Sequence, residues 1–304
     1  MAEPPPIHTL TGNLLCERTL EFNAWSEGRT QRAVREEFNA RGKGVNVSNL
    51  LARLGTRSTA LIFAGGAPGA EAEAWLQTRR IDYVAFSTVA PSRIGTVIWS
   101  ENQAETTFLG PDVPPDAAAV TAAAAWLDAR PDGEVLALCG SFPGWDSADY
   151  APLRSAIGRW QGRGRLLADV YGPPLRALLN QPVELVKINR QEFNGLFTAS
   201  EHARPLDDLL SDLRAKGHVK NWVISDGPNA VWLLPESGCP VQFTPLAITE
   251  VSPTGSGDVM FGAMIHARIR LGQNLEDAVR FALPLAAANA AHKGVADFEL
   301  PLSG

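Results

Sequence analysis

The stretch Glu250-Val251-Ser252-Pro253-Thr254-Gly255-Ser256-Gly257-Asp258-Val259-Met260-Phe261-Gly262 carries the residues best suited to chemistry. Gly255 and Gly257 permit backbone conformations closed to other residues and keep side chains out of a ligand's approach. The run from Val259 to Ala267 has the composition of a helix. The turn therefore sets free backbone N–H groups at a helix N-terminus, where the dipole also favours anions. Charge developing on a transferring phosphoryl group would be stabilised there, and Asp258 could take the proton from an attacking hydroxyl. The plain alternative is a turn closed by Asp258 as a helix N-cap, a position Asp favours. No GxxxxGK[ST] loop occurs anywhere, which excludes a Walker A site, and a dinucleotide fingerprint is absent here.

The elements that must position such a turn alternate along the chain. Short aliphatic runs at Ser58–Ala64, Glu134–Cys139, Arg165–Asp169, Glu184–Lys187 and Asn221–Ser225 read as strands. Between them, Val45–Leu54, Ala70–Thr78, Asp116–Ala129, Ser147–Trp160, Pro205–Lys216 and Gly257–Leu271 read as helices. This alternation predicts an α/β fold with a mostly parallel central sheet covered by helices on both faces. Leu20–Phe38 and Ile94–Leu109 break the pattern and read as hairpin material for a small separate sheet over the site. Leu275–Ala291 is Ala-rich and helical, and Pro284 inside it is expected to kink or split it.

Composition narrows the partners. At 304 residues, with 45% hydrophobic and 20% charged, the chain can bury the core of one large domain or two small ones. A formal charge of −6 argues against a broad polyanion-binding surface, so no nucleic-acid partner is expected. Cys16, Cys139 and Cys239 lie far apart without a CxxC pair, which suits free thiols in a reducing compartment. The histidines show no metal-ligand spacing with them, so no zinc site is expected. Met1 to Leu10 has no apolar signal core, and no apolar run is long enough for a bilayer. A cytoplasmic enzyme without a membrane partner is the expectation.

Five motifs in order complete the reading. They are Gly42-Lys43-Gly44-Val45-Asn46-Val47, Gly140-Ser141-Phe142-Pro143, Lys187-Ile188-Asn189-Arg190-Gln191-Glu192, Ser225-Asp226-Gly227 and Gly255-Ser256-Gly257-Asp258. With them the chain resembles the ribokinase superfamily, and within it the phosphofructokinase-B branch that includes 1-phosphofructokinase and tagatose-6-phosphate kinase. The resemblance runs from about residue 7 to the end. It implies a single ribokinase-like unit over residues 1–304, with a β lid from about 17–40 and 93–110. It implies an ATP-dependent kinase of a small carbohydrate, most simply a ketohexose phosphate, with Mg²⁺ and a homodimer made through the lid sheets.

The same resemblance implies residue roles. Asp258 is the catalytic base, and Gly255, Ser256 and Gly257 the anion hole. Lys187, Asn189, Glu192, Ser225, Gly227 and Asn289 fall on the nucleotide side, with Glu192 positioning Mg²⁺ through water. A carboxylate with an amide suits that ion, which takes oxygen ligands and keeps waters. Asn189 and Glu192 also read as a helix capping box, and Asn289 as an exposed polar residue on an Ala-rich helix. Glu17, Gly42, Lys43, Asn46 and Ser141 fall on the sugar side. Arg32 and Arg93 fall where the branch places cations against a sugar phosphate, a task suited to a guanidinium fork.

The sugar side also departs from the family. Glu17 stands where an Asp holds sugar hydroxyls, and Arg41 replaces a glycine before Gly42. These changes leave open a catalytically impaired sugar-phosphate-binding regulator, and a ribokinase-type kinase of a free sugar or nucleoside. A serine hydrolase on Ser141 lacks the GxSxG elbow.

Overall fold

The computed structural model describes residues 3–198, 200–201 and 204–300. The strands in chain order are β1 (Ile7–Thr11), β2 (Leu15–Phe22), β3 (Arg35–Arg41), β4 (Thr59–Ala64), β5 (Asp82–Ser87), β6 (Arg93–Ser100), β7 (Gln103–Leu109), β8 (Val135–Gly140), β9 (Arg165–Val170), β10 (Leu185–Asn189), β11 (Trp222–Asp226), β12 (Ala230–Leu234) and β13 (Val241–Phe243). The helices are α1 (Lys43–Arg53), α2 (Gly66–Thr78), α3 (Ala117–Asp128), α4 (Ala151–Trp160), α5 (Pro173–Leu178), α6 (Arg190–Asn194), α7 (Leu206–Lys216), α8 (Ser256–Ile265) and α9 (Leu275–Ala290).

The larger sheet has nine strands in the order β13-β12-β11-β10-β9-β8-β1-β4-β5. All its pairs from β5 to β11 are parallel, and β12 and β13 add antiparallel at one edge. Each parallel step needs a crossover, and the helices supply it on both faces. Along β8, Leu136 and Leu138 pack with α3 and α4, while Val135, Ala137 and Cys139 pack with α1, α8 and α9. That two-sided burial explains the unbroken aliphatic runs, each large side chain contributing about 1.5–3 kcal/mol by leaving water. No helix among the described residues is long and apolar enough to cross a membrane.

Strand order reverses between β1 and β8, which meet in register at Thr11 and Cys139. The carboxyl ends of a doubly wound sheet open into a crevice at such a reversal. β1 is the one strand of that crevice not among the expected strands, because His8, Thr9 and Thr11 dilute its two aliphatics. The other anticipated strands fall within two residues of their expected bounds.

The second sheet runs β3-β2-β6-β7 and forms the lid. Its strands differ from the expected Leu20–Phe38 hairpin: β2 starts at Leu15, β3 ends at Arg41, and residues 23–34 are a connecting loop. The polar run Ser26-Glu27-Gly28-Arg29 explains the break, and Gly42 fixes the end of β3. The Ile94–Leu109 hairpin is present as β6 and β7. Side chains alternate across this sheet. Val97 and Trp99 are buried, with Lys293 Nζ 5.4 Å from a ring centroid of Trp99, whereas Ile94 and Phe108 on the opposite face are more than half exposed.

Pro284 does not split α9, which is helical from Leu275 to Ala290. Val279, Ala282 and Leu285 are buried on either side of it, so packing outweighs the lost hydrogen bond. The expected helix from Gly257 to Leu271 is α8 continued by a π-helical turn at His266–Arg270.

Candidate active site

Two helix starts meet at the reversal in strand order. α1 is entered through its cap residue Gly42, whose φ of +115° a side chain would resist, and a Cβ there would strike Thr11 Cγ2 at 2.6 Å. The close approach of this turn to β1 sends Lys43 across the carboxyl ends of β8 and β9. Lys43 Nζ donates to Asp169 Oδ1 at 2.5 Å and to Glu192 Oε1 at 2.9 Å. Lys187, in the middle of β10, donates from Nζ to Asp169 Oδ2 at 3.2 Å. A fully buried carboxylate thus sits between two ammonium groups.

α8 begins at the Gly-Ser-Gly-Asp turn. Gly255 has a φ of +76°, and a Cβ on it would lie 2.1 Å from Val295 Cγ1. A Cβ on Gly257 would lie 2.6 Å from Lys187 Nζ. These glycines do not simply clear space for a ligand: one admits the Val295 side chain and the other the Lys187 ammonium. Ser256 Oγ accepts from Asn289 Nδ2, which also donates to the Thr254 carbonyl at 2.9 Å. Asn289 Oδ1 accepts from Ala296 N. Asn289 is therefore not exposed. It is fully buried, and its amide ties the Gly255–Asp258 turn to the loop after α9.

Asp258 is 6% exposed and accepts at Oδ2 from Asn46 Nδ2 at 2.7 Å. Burial, aided by Asp169, pushes its carboxyl up to about 6, although Lys43, the Asn46 hydrogen bond and Lys187 pull the other way. Burial alone works against the Lys43 charge, but Asp169, Glu192 and Asp258 outweigh it and hold the ammonium well above its ordinary value. Asp169 behaves oppositely to Asp258: burial opposes its charge, and Lys187 and Lys43 still keep it below the usual carboxylate range. Two carboxylates in one site are thus driven apart, one a firm anion and one poised near neutrality, an arrangement suited to acid–base work.

Asp258, Asn46, Lys43, Glu17, Arg41 and Arg93 all line a cavity of about 170 Å³ beneath the lid, together with Ser141. Asn46 Oδ1 is buried without a partner there, so an acceptor for an incoming hydroxyl is in place. Glu17 and Arg41 explain each other: Arg41 Nε donates to Glu17 Oε1 at 3.3 Å, and its NH1 to the Val295 carbonyl. The added methylene of Glu17 and the added cation of Arg41 form one buried pair.

On the other side, Asn189 and Glu192 form the capping box, the Asn189 side chain accepting from Glu192 N and Glu192 Oε2 from Asn189 N. Ser225 lies beside Asn189 in register, and Gly227 turns β11 into β12 at a φ of +50°. A second cavity, of about 380 Å³, is lined by Asn189, Glu192, Arg176 and Tyr171. Arg32 is not brought to the site of its own chain. It is exposed on the 23–34 loop.

Sequence reasoning missed Asp169, Asn13, Asp112 and Tyr171. Asp169 had a signal, an acid directly after the aliphatic run Leu166-Leu167-Ala168. Tyr171 lies under Lys43, 5.3 Å from Nζ to the ring centroid, and walls both cavities.

Known proteins resemble the whole chain. It is 28% identical over 297 residues to the 1-phosphofructokinase of Borreliella burgdorferi, covering 96% of this chain and 94% of that protein. It is 26% identical over 296 residues to the D-tagatose-1-phosphate kinase of Bacillus licheniformis, at 96% and 94% coverage. Among solved structures, phosphofructokinase-2 from Escherichia coli in complex with fructose-6-phosphate superposes with a TM-score of 0.82 at 24% identity, over 94% of each chain. Ribokinase from Thermotoga maritima follows at 0.70 and 18%, over 96% of this chain and 95% of that one. Both share the fold, a ribokinase-like one. Residues 15–301 match the model of the family described as pfkB family carbohydrate kinase. The chain belongs to that family and is a carbohydrate kinase, with a hydroxyl as phosphoryl acceptor.

Proposed function

We propose that this kinase transfers the γ-phosphoryl group of ATP to a hydroxyl of a ketohexose phosphate, with Asp258 as base. The observation that carries the reading is the buried Asp258 carboxyl, raised to about 6 and facing a cavity that also presents Arg93 and an unpartnered Asn46 carbonyl. The curated relatives named for fructose and tagatose phosphates favour such an acceptor.

The acceptor lies under the lid, with its hydroxyl directed at Asp258 and other hydroxyls at Asn46 and Glu17. Asp258 takes the hydroxyl proton as the oxygen attacks. The first-turn amides of α8, with Lys43 and Lys187, stabilise the charge on the moving phosphoryl group. Lid closure excludes water, which would otherwise compete as acceptor.

Mg²⁺ is tested by the donor set. Among the described residues no group of three or more His, Cys, Asp or Glu could cage an ion. Glu192 already engages both oxygens, with Lys43 and with Asn189 N. The residues fit an ion held mainly by nucleotide phosphates and reached by Glu192 through water. Bound in that way, Mg²⁺ supplies charge neutralisation on the phosphates.

The lid supports a homodimer. Its exposed Ile94 and Phe108 leave apolar surface on an isolated four-stranded sheet. An assay of ADP release with fructose and tagatose monophosphates, each beside its free ketohexose, tests the substrate. Preference for the free sugars would remove the sugar-phosphate reading, and binding without turnover would favour a regulatory paralogue.

A further inference from the structure

Arg93 is not a free cation. Its NH1 donates to Asp112 Oδ1 at 2.9 Å, and Asn13 Nδ2 donates to that same oxygen at 2.8 Å. Both donors line the acceptor cavity, and Asn13 Nδ2 also reaches Ser141 Oγ at 3.1 Å. The Arg93 Nε is buried without a partner, so the guanidinium still has a donor to satisfy. Arg93 is fixed at the start of β6 with its side chain 14% exposed. Asp112 sits on the link between β7 and α3, with its side chain 58% exposed.

From this asymmetry we propose that Asp112 is a specificity-determining residue, a built-in anion that competes with the acceptor's phosphate for Arg93 and Asn13. One carboxylate oxygen collects the two donors that a phosphate oxygen would need. A phosphate brings more charge and further oxygens for the idle Nε, and guanidinium binds it through two arms. The exposed Asp112 can swing toward solvent, while the buried donors stay where they are. A free sugar cannot displace it in this way. Asp112 therefore sets how tightly a phosphorylated acceptor is held and leaves a neutral one almost untouched. The inference rests on the sugar-phosphate reading of the cavity.

The test is calorimetric titration of inorganic phosphate into the full chain, wild type against Asp112→Asn, Asp112→Ala and the double variant Asp112→Asn/Arg93→Ala. The Asn variant keeps the shape and removes the charge. Phosphate is expected to bind about two- to fivefold more tightly to both single variants, as for release of a partly exposed ion pair. Adding Arg93→Ala should abolish the gain. In turnover, KM for the phosphorylated ketohexose should fall while KM for MgATP does not. Unchanged or weaker phosphate binding, or a gain that survives without Arg93, overturns the proposal, since Asp112 would then buttress Arg93 or hold the sugar itself. Phosphate binding needs no turnover. Tighter binding in a protein that phosphorylates no ketohexose phosphate would thus keep the role of Asp112 and sink the substrate reading.

Discussion

Asn46 Nδ2 donates to Asp258 Oδ2 at 2.7 Å, while the carbonyl oxygen of the same buried amide accepts nothing. One side chain orients the base and offers an acceptor to the substrate. Asn46→Ala should lower kcat/KM by about 10²-fold, the scale of a misplaced reacting group. It also removes a hydrogen bond that lowers the Asp258 pKa, so the acid limb of the pH–rate profile should move to higher pH. An unmoved limb would mean that the Asn46 amide does not tune the Asp258 carboxyl.

The pH dependence follows from the same carboxylate. With Asp258 as the proposed base, kcat/KM should fall on the acid side with an apparent pKa near the value of about 6 held by the folded chain. Stability runs the other way. The folded pKa lies above the unfolded 3.8, so the folded chain binds the proton more tightly and loses stability as pH rises from 3.8 to about 6. Asp258→Asn should therefore gain on the order of 1–3 kcal/mol above that window. Asp169 contributes with the opposite sign: its pKa is depressed, so its stabilisation is present at neutral pH and lost in acid. Thermal melts of both proteins from pH 4 to pH 8 check the signs.

The two turn glycines should fail differently. Gly255→Ala meets both a φ of +76° and Val295 at 2.1 Å, and should cost about 2–4 kcal/mol. Adding Val295→Ala should recover the clash but not the backbone strain. Gly257→Ala meets no positive φ but displaces the buried Lys187 ammonium, 2.6 Å away, so it should cost about 1–3 kcal/mol. Turnover should drop about tenfold or more, because the ammonium leaves its place beside Asp169.

How much of this could be read along the chain depends on how local each cause is. β8, β9, β10 and β11 were legible because burial on both faces leaves each strand mostly apolar. β1 was not, since His8, Thr9 and Thr11 face neighbours that only the fold brings near. The Gly255–Asp258 turn was legible as a helix start. What fills its glycines was not, because Val295 and Lys187 arrive from distant segments. Asp169 gains its meaning from Lys43, 126 residues away. Glu17 and Arg41 each looked disruptive alone and become intelligible as a pair. The burial of Asn289 was not legible, because an Ala-rich helix suggests exposure, whereas the loops at Thr254 and Ala296 cover it.

Lid pairing has a direct check. Ile94→Asp and Phe108→Asp place charge on exposed lid positions at 53% and 56% accessibility. If lids pair, either change should convert a dimer to a monomer in analytical ultracentrifugation, with the thermal midpoint nearly unchanged. A wild-type monomer, or a dimer indifferent to both changes, would remove lid pairing.

The most direct measurement is steady-state phosphoryl transfer from MgATP to a ketohexose phosphate by wild type and Asp258→Asn, with folding verified by thermal melt. The account expects a folded variant whose kcat falls by about 10²–10⁴-fold, the range for loss of a positioned base, while KM for both substrates changes little. A folded Asp258→Asn protein turning over at near wild-type kcat would contradict it.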